Sequence, residues 1–571
     1  MARRSFLVRA LVAGCLIGAL VAPAAGAAAQ PQATPPGHAH DLPVYNVGTA
    51  VVDISPPADH PQYLGGFGQM DEPTATVHDP LQVRAFAVSQ GKQAVAFAIV
   101  DSQGWFSGYQ EGPFGITDAR QQVGDWLAKH GYPDATEANV IISSTHSHAA
   151  PTIMGIWGPT DADYLKLVHD RAIQAIEQAF SSMRPATLWT ADADVATIDG
   201  SNVEQTDIYD GWTVDGDLPL LWARDPQNGK TIGLYGNVPI HADIVNGAGL
   251  KEMSADHIGF ERDALGSALG GTAVLAMGTL GRQESIVQVG GYDDSHRVAD
   301  YVVNATLHAL ESAEPITSDE LGAAEQYVTV PGTNPALLAL VAGNAAGPTC
   351  TPAACTIDRS FEPPYQVGTA LGTWINVFRI GDVAYVSEPG EAFPEVSAAI
   401  RASIPADKVR VIGMAQDQVG YYFPPEDTTF TTFPNDSDHL IYNSSLALAD
   451  INVDAAAVAA RSLGWDALPV HPTTGIDDPQ AFEKPGVQFF PVVPFSKDKT
   501  VVFDAAFNSA YDGAALVGDQ PVKWDFGDGS KGESRELISH TYQRPGDYKV
   551  TATVTDEQGR SRSWTQTVHI H

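Results

Sequence analysis

The strongest constraint on the fold is an alternation of helix and strand patterns between residues 117 and 180. TDARQQVGDWLAKHGYP predicts an amphipathic helix, NVIISS predicts a buried strand, and TDADYLKLVHDRAIQAIEQAF predicts a second helix. The residues expected to face inward on the two helices are Val123, Trp126, Leu127, Leu165, Val168, Ile173, Ile176 and Phe180. This order is typical of an α/β domain, here expected to have mixed sheets, in which ligands collect beyond the carboxyl ends of strands.

Composition shifts divide the chain into five segments. A signal peptide is predicted at 1–29 and a leader at 30–43, followed by a large α/β domain at 44–466. The stretch 467–487 is rich in Pro, Gly and Asp and predicts a connector. Short alternating strand patterns then fill 488–571, which favours a small all-β sandwich.

The first residues are typical of a secretory signal. MARRSFLVR precedes the apolar run ALVAGCLIGALV, which is short for a membrane span, and Ala27 and Ala29 form an A-x-A cleavage pattern. We expect a secreted protein whose mature chain begins near Gln30. A lipoprotein signal is the weaker alternative, since Cys15 lies inside the apolar run rather than after it.

Charge and cysteine content narrow the choice of partner and compartment. Asp and Glu total 68 against 32 Lys and Arg, a net charge of -36. That excess argues against nucleic acid or an anionic membrane as a partner held by bulk electrostatics, and it suits solubility outside the cell. Cys350 and Cys355 predict a disulfide that closes a small loop.

Two histidines stand where the strand within IISSTHSHAAP stops. If the strand persists for two more residues, the imidazoles of His146 and His148 face the same side. His241 follows the apolar stretch KTIGLYGNVPI, and Glu391 follows a predicted hairpin strand at the start of a helix. Imidazole and carboxylate are reasonable zinc ligands, with water completing the site. The alternative for each histidine is an ordinary hydrogen-bonded residue near a surface loop.

A third segment ends in two tyrosines. KVRVIGMAQDQVGYY predicts a strand that runs toward Tyr421 and Tyr422, either of which offers a phenolate to the same ion. The ligands are far apart in sequence, so the spacing alone does not define a metal site.

The region from 44 to about 460 resembles the neutral/alkaline ceramidases, zinc-dependent amidases that split ceramide into sphingosine and fatty acid. The matching stretches are VGTAVVDISPP with YLGGFGQM, HDPLQVRAFAV, NVIISSTHSHAAP, PIHADIVNG with SADHIGF, and EPGEAF. The resemblance implies zinc ligation by His146, His241, Glu391 and Tyr421, with Tyr422 as the alternative to Tyr421. It implies that His148 is a proton donor or oxyanion partner beside the metal.

One signature of that family is altered here. The family's G-D-V-S-P segment, with a serine beside the zinc, corresponds to GRQES, so Arg282 replaces the aspartate and Glu284 replaces the serine. Ser285 falls one residue late, and a one-residue shift turns a strand side chain to the other face. We hypothesise that Glu284 is a general base or binds a substrate cation, and that Arg282 holds an anion or the oxyanion. The alternative is a structural ion pair between the two.

The C-terminal segment resembles a PKD domain. WDFGDG at 524–529, HTY at 540–542 and PGDY at 545–548 carry the likeness. Trp524 and Phe526 alternate onto one face, and Asp-Gly turns close hairpins. The resemblance implies either a spacer or a module that contacts a cell surface or glycan.

Together these features predict a secreted zinc amidohydrolase that uses zinc-activated water on an N-acyl lipid or another N-acyl compound. Two alternatives stay open: a hydrolase of esters or other small molecules on the same scaffold, and a secreted binding protein without catalysis.

Overall fold

The computed structural model describes most of the large domain and parts of the C-terminal segment. The described residues are 42–66, 72–109, 113–155, 157–158, 160–198, 202–203, 205–207, 214–281, 283–331, 370–423, 448–469, 490–492, 499–504, 508–509, 514–515, 522–530, 537–555 and 561–570. The predicted signal peptide, nearly all of the leader, the Cys350–Cys355 pair, Arg282 and most of the connector lie outside them.

Strands and helices alternate along the large domain as the sequence pattern predicts. Its strands are β1 (Tyr45–Asp53), β2 (Gln82–Gln90), β3 (Gln93–Val100), β4 (Val140–Ser144), β5 (Arg184–Asp194), β6 (Thr197–Ile198), β7 (Asn202–Val203), β8 (Gln205–Asp207), β9 (Asp217–Arg224), β10 (Thr231–Val238), β11 (Thr272–Met277), β12 (Gln283–Ser285), β13 (Glu314–Pro315), β14 (Leu321–Pro331), β15 (Ala370–Ile380), β16 (Val383–Ser387), β17 (Glu391–Ala392), β18 (Lys408–Ile412) and β19 (Tyr421–Tyr422). Its helices are α1 (Ile116–Lys129), α2 (Ala162–Ser181), α3 (Ile244–Gly247), α4 (Asp256–Leu269), α5 (Tyr292–Leu310), α6 (Pro394–Ser403) and α7 (Leu448–Ser462).

Two mixed sheets form the centre of this domain. The larger has the order β11-β10-β9-β5-β1-β2-β3-β4 with β13 beside β5, and the smaller has the order β14-β15-β16-β18. Most neighbours are antiparallel, but the pairs β3–β4, β10–β11 and β16–β18 are parallel. The predicted α/β domain with mixed sheets is therefore confirmed.

An aromatic cluster joins the inner faces of the two sheets. Phe97 on β3 stacks on Tyr235 of β10 with ring centroids 4.3 Å apart, and it meets Phe378 and Tyr385 of the smaller sheet edge-on. The outer faces are covered by helices: α1 and α2 pack on β1–β4, α4 packs on β10 and β11, α5 packs on β5 and on α4, and α6 and α7 pack on the smaller sheet. The strands that lead to the candidate ligands are thus packed in hydrophobic clusters on both faces of the sheets.

The helices follow the predicted apolar periodicity with two differences. Ile173 of α2, predicted to face inward, is only partly buried. Val123 and Leu127 of α1 are fully buried, as are Leu165 and Ile176 of α2. Trp126, predicted to face inward, is only partly buried, because its indole lies at the edge of the helix and stacks on His130 at 4.1 Å.

A buried arginine ties α1 to the smaller sheet. Arg120 is fully buried; its guanidinium donates to the carbonyls of Val140 and Glu137, both at 3.0 Å, and pairs with Glu325 of β14. It also donates to the side-chain oxygen of Asn376 at 3.3 Å. Such a desolvated cation depends on its partners.

Replacing Arg120 with methionine is expected to lower the free energy of unfolding by about 3–5 kcal/mol, since Glu325 is then left without its cation. The measurement is the main urea transition of the full chain. The matched control is Arg171→Met, an exposed arginine on α2 that bonds only Gln174 among its described contacts, with an expected change within about 0.5 kcal/mol. Equal effects of the two substitutions would contradict the assignment.

The described part of the C-terminal segment is all-β. Its strands are β20 (Phe490–Val492), β21 (Thr500–Asp504), β22 (Asn508–Ser509), β23 (Ala514–Ala515), β24 (Val522–Asp525), β25 (Leu537–Thr541), β26 (Gly546–Thr555) and β27 (Ser561–Ile570). Sheets β20-β21-β25 and β24-β26-β27 enclose a core in which Trp524 and Phe526 are buried and lie parallel, as the alternation predicts. Across the described parts of the chain, the helices are too short or too polar to cross a bilayer.

Candidate metal centre

The ends of four strands bring the predicted ligands together. His146 and His148 follow β4, and His241 follows β10. Glu391 forms the short strand β17 just after β16, and β17 pairs in parallel with β19 so that Glu391 lies opposite Tyr421. Residues distant in the chain therefore meet at one place, as expected for the carboxyl ends of strands.

The two histidines after β4 converge through a turn and not through a continuation of the strand. β4 ends at Ser144, and His146 has a φ of +55°, in the left-handed region that non-glycine residues rarely adopt. The turn brings the imidazole of His146 to 4.7 Å from that of His148, centroid to centroid, at an angle of 79°. Strained backbone of this kind is frequent where side chains must be aimed.

Three imidazoles form a cluster, and the Glu391 carboxylate lies against two of them. The Nε2 of His146 lies 3.1 Å from the Nε2 of His148 and 3.5 Å from the Oε2 of Glu391, which is also 3.5 Å from the Nε2 of His241. Ligands bound to one tetrahedral zinc at about 2.0–2.1 Å are about 3.3 Å apart. The imidazole donors all lie within 4.8 Å of one another and are buried, so the donor set fits zinc in chemistry and spacing.

Main-chain carbonyls fix the orientation of two of these rings. The Nδ1 of His146 donates to the carbonyl of Gln103 at 2.6 Å, and the Nδ1 of His241 donates to the carbonyl of Gln283 at 3.1 Å. A carbonyl can only accept, so each neutral ring carries its proton on Nδ1 and turns the lone pair of Nε2 toward the centre. This is the usual support of a metal-binding histidine.

The residues of the cluster shift one another's pKa values. Burial alone would raise the pKa of Glu391, but His146 and His241 hold it well below its usual range. Burial would lower the pKa of His241, yet the Glu284 charge and the Glu391 hydrogen bond raise it to about 10. Burial and the neighbouring imidazoles hold the pKa of His148 well below its usual value. Such opposed shifts in one buried cluster are typical of functional sites.

The two tyrosines of the last segment point to different places. Tyr421 lies against the Glu391 carboxylate, and burial together with the charges of Glu391 and Glu284 raises its pKa well above the usual value. Tyr422 instead donates to Asn452 Oδ1 at 3.0 Å in the core under α7. The structure thus places Tyr421 beside the cluster, while its role as a ligand stays a prediction.

The altered segment places a carboxylate next to the histidines. Glu284 Oε1 lies 3.8 Å from Nδ1 of His241, and its side chain keeps 29% of its accessible surface. Burial and the charge of Asp243 raise the pKa of Glu284 well above its usual range. Ser285 is buried on the other face of β12, and the described residues offer its hydroxyl no hydrogen-bond partner. Arg282 lies outside the described residues, so its proposed anion-binding role stays a prediction.

Two supports of the cluster were not predicted from the sequence. Gln418 donates its side-chain Nε2 to Oε1 of Glu391 at 2.9 Å. His257 bonds Glu261 at 2.6 Å and the carbonyl of His241 at 2.9 Å, and although burial opposes it, Glu261 raises the pKa of His257 to about 9. The i,i+4 spacing of a histidine and a glutamate on a predicted helix was the available signal for this pair.

Comparisons with known proteins agree with this architecture. A PKD domain model matches residues 483–571. Neutral ceramidase B of Dictyostelium discoideum is 26% identical over 234 residues, which are 38% of this chain and 31% of that protein. The aligned region therefore spans less than a third of that curated relative.

Solved ceramidase structures share the fold. The neutral ceramidase from Pseudomonas aeruginosa aligns with a TM-score of 0.56 at 15% identity, over 93% of this chain and 99% of that chain. A ceramidase complexed with C2 aligns with the same TM-score at 16% identity and the same coverage. The resemblance to neutral ceramidases and the C-terminal PKD domain, both predicted from sequence, are confirmed.

Proposed function

We propose that this chain, which shares its fold with neutral ceramidases, is an exported zinc-dependent amidohydrolase acting on an N-acyl amide such as a ceramide-like lipid. The observation that carries the proposal is the buried cluster of His146, His148 and His241 with Glu391, in which the Nε2 of His146 lies 3.1 Å from that of His148 and the Glu391 carboxylate lies 3.5 Å from His146 and His241. The arginine-rich, apolar N-terminus supports export.

Each residue of the cluster has a separate role in the proposed reaction. His146, His241 and Glu391 would hold a zinc ion, which would supply Lewis acidity and lower the pKa of the attacking water to about 7. Glu284 takes a proton from that water; its partly exposed carboxylate, 3.8 Å from Nδ1 of His241, supports this role. His148 passes that proton on to the leaving nitrogen, so that one water molecule is consumed and a carboxylic acid and an amine are released.

Donors to the developing oxyanion come from the same surroundings. Tyr421 lies against Glu391, and its hydroxyl keeps its proton because burial raises its pKa well above the usual value. A protonated phenol can donate a hydrogen bond to a carbonyl oxygen as negative charge develops there. Arg282 is the second candidate for this task.

A binding protein without catalysis is the competing function. It is motivated by the replacement of the family's serine by Glu284 and by the PKD domain at 483–571, which would then contact a glycan or cell surface. An esterase on the same scaffold is a closer alternative, because zinc polarises ester and amide carbonyls alike.

Elemental analysis combined with a substrate panel tests the proposal. We expect close to one zinc ion per chain, and release of free amine from N-acyl amides that stops on chelation and returns with zinc. Matched esters in the same panel separate an amidase from an esterase. A folded, metal-free protein that binds glycans would contradict the hydrolase and support the binding protein.

A further inference from the structure

Helix α4 carries two buried ion pairs in its first two turns. His257 and Glu261 pair one turn apart at 2.6 Å, and neither side chain retains accessible surface. The next residue, Arg262, binds Asp101 through two hydrogen bonds of 2.7 and 2.5 Å, and both side chains are buried. Buried ion pairs often add little net stability, because desolvation offsets the Coulomb attraction. We therefore expect the two pairs to have a role other than stability.

The first pair reaches the segment of His241. Nδ1 of His257 faces the Glu261 carboxylate, and its Nε2 faces the main-chain carbonyl of His241 at 2.9 Å. Both neighbours accept, so both ring nitrogens donate and the imidazole bridges α4 to that carbonyl. Asp256, at the start of α4, accepts from the amide of Val245 at 2.9 Å. The chain after His241 is thus held to the helix at two points.

The second pair reaches the segment that orients His146. Asp101 directly follows β3, and besides binding Arg262 it accepts from the amide of Gln82 at 2.7 Å. Two residues later, the carbonyl of Gln103 accepts from Nδ1 of His146 at 2.6 Å. Arg262 therefore anchors the short stretch of chain that sets the direction of the His146 ring.

We infer that His257, Glu261 and Arg262 are positioning residues through which α4 holds the imidazoles of His146 and His241 at the spacing that a metal ion requires. The inference rests on the proposed metal site and assigns these residues no contact with substrate. One helix sets both rings, so their separation is determined by a rigid element rather than by two independent loops. Removing such supports of a metal-binding histidine typically weakens metal affinity about 10–100-fold.

The test is the zinc dissociation constant of His257→Phe in the full chain, measured by competition with a chromogenic chelator. Phenylalanine keeps the ring volume but removes both hydrogen bonds, and we expect affinity to fall about 10–100-fold. His257→Gln retains an amide donor for the His241 carbonyl and is expected to recover most of the loss. Glu261→Gln, nearly isosteric, is the variant to measure if His257→Phe does not fold.

Arg120→Met is the matched control, because it disrupts a comparable buried pair that contacts neither the imidazoles nor their main-chain supports; it reaches β4 only at its first residue, Val140. It should lower stability while leaving zinc affinity unchanged. The visible spectrum of the cobalt(II)-substituted protein gives a second readout, since it reports ligand geometry and should shift in His257→Phe but not in Arg120→Met.

The outcomes separate the inference from the proposed function. If the wild-type protein binds zinc and the folded His257 and Glu261 variants keep its zinc affinity and its cobalt spectrum, only the positioning role is overturned. Wild-type protein that binds no zinc would overturn the proposed function and the positioning role with it.

Discussion

Replacing His241 with alanine is expected to remove zinc binding and hydrolysis together. His241 is buried, its Nε2 lies 3.5 Å from the Glu391 carboxylate, and its ring is already oriented by a main-chain carbonyl. Loss of the imidazole leaves fewer donors than a stable zinc site needs. We expect affinity to fall by well over about 100-fold, more than the loss from removing a supporting residue. Metal content after dialysis and turnover on a working N-acyl substrate are the measurements.

The control for this substitution is His308→Ala, a histidine on α5 whose side chain is 84% exposed. It should retain zinc and activity. Full zinc occupancy in His241→Ala would show that the ion binds elsewhere. That result would remove the basis of the hydrolase mechanism.

Replacing Glu284 with glutamine is expected to lower kcat by about 10²–10⁴-fold if the carboxylate is the general base. The change keeps the shape of the side chain and its place beside His241, but an amide cannot accept a proton from water at neutral pH. Zinc content should be unchanged, because Glu284 is not among the donors that face the centre. The measurement is a full Michaelis–Menten analysis on an N-acyl substrate identified by the panel.

Ser285→Ala is the matched control on the same strand. Ser285 is buried on the opposite face of β12, so its removal should leave kcat within about twofold. Unchanged kcat in Glu284→Gln would exclude the base role. A rise in KM alone, with cationic substrates most affected, would assign Glu284 to binding a substrate cation.

Much of the candidate site could be predicted from apolar runs and the polar residues that end them. The buried strand pattern that leads into IISSTHSHAAP locates the turn that carries His146 and His148, and the same logic locates His241. The alternation of strand faces also anticipates that Glu284 and Ser285 of β12 point to different sides. These inferences need only the local periodicity of apolar and polar residues, which can be read from the sequence.

Other features depend on contacts that local patterns do not contain. The left-handed backbone of His146 cannot be inferred from the local sequence, because only a few per cent of non-glycine residues adopt it. The pairing of His257 with Glu261 follows from helical spacing, but its contact with the His241 carbonyl requires the packing of α4 on β10 and β11. Likewise, Tyr421 and Tyr422 can be told apart only once the pairing of β17 with β19 is known.

The predicted metal ligands come from segments that are far apart in the chain, and this determines whether folding or metal binding comes first. His146 follows β4 of the larger sheet, Glu391 follows β16 of the smaller one, and these two sheets meet through the aromatic cluster around Phe97. No short peptide from this chain could chelate the ion as a zinc finger does, so the polypeptide must fold before the metal site exists. An exported chain of this kind would acquire its ion late, from whatever supply exists where folding finishes.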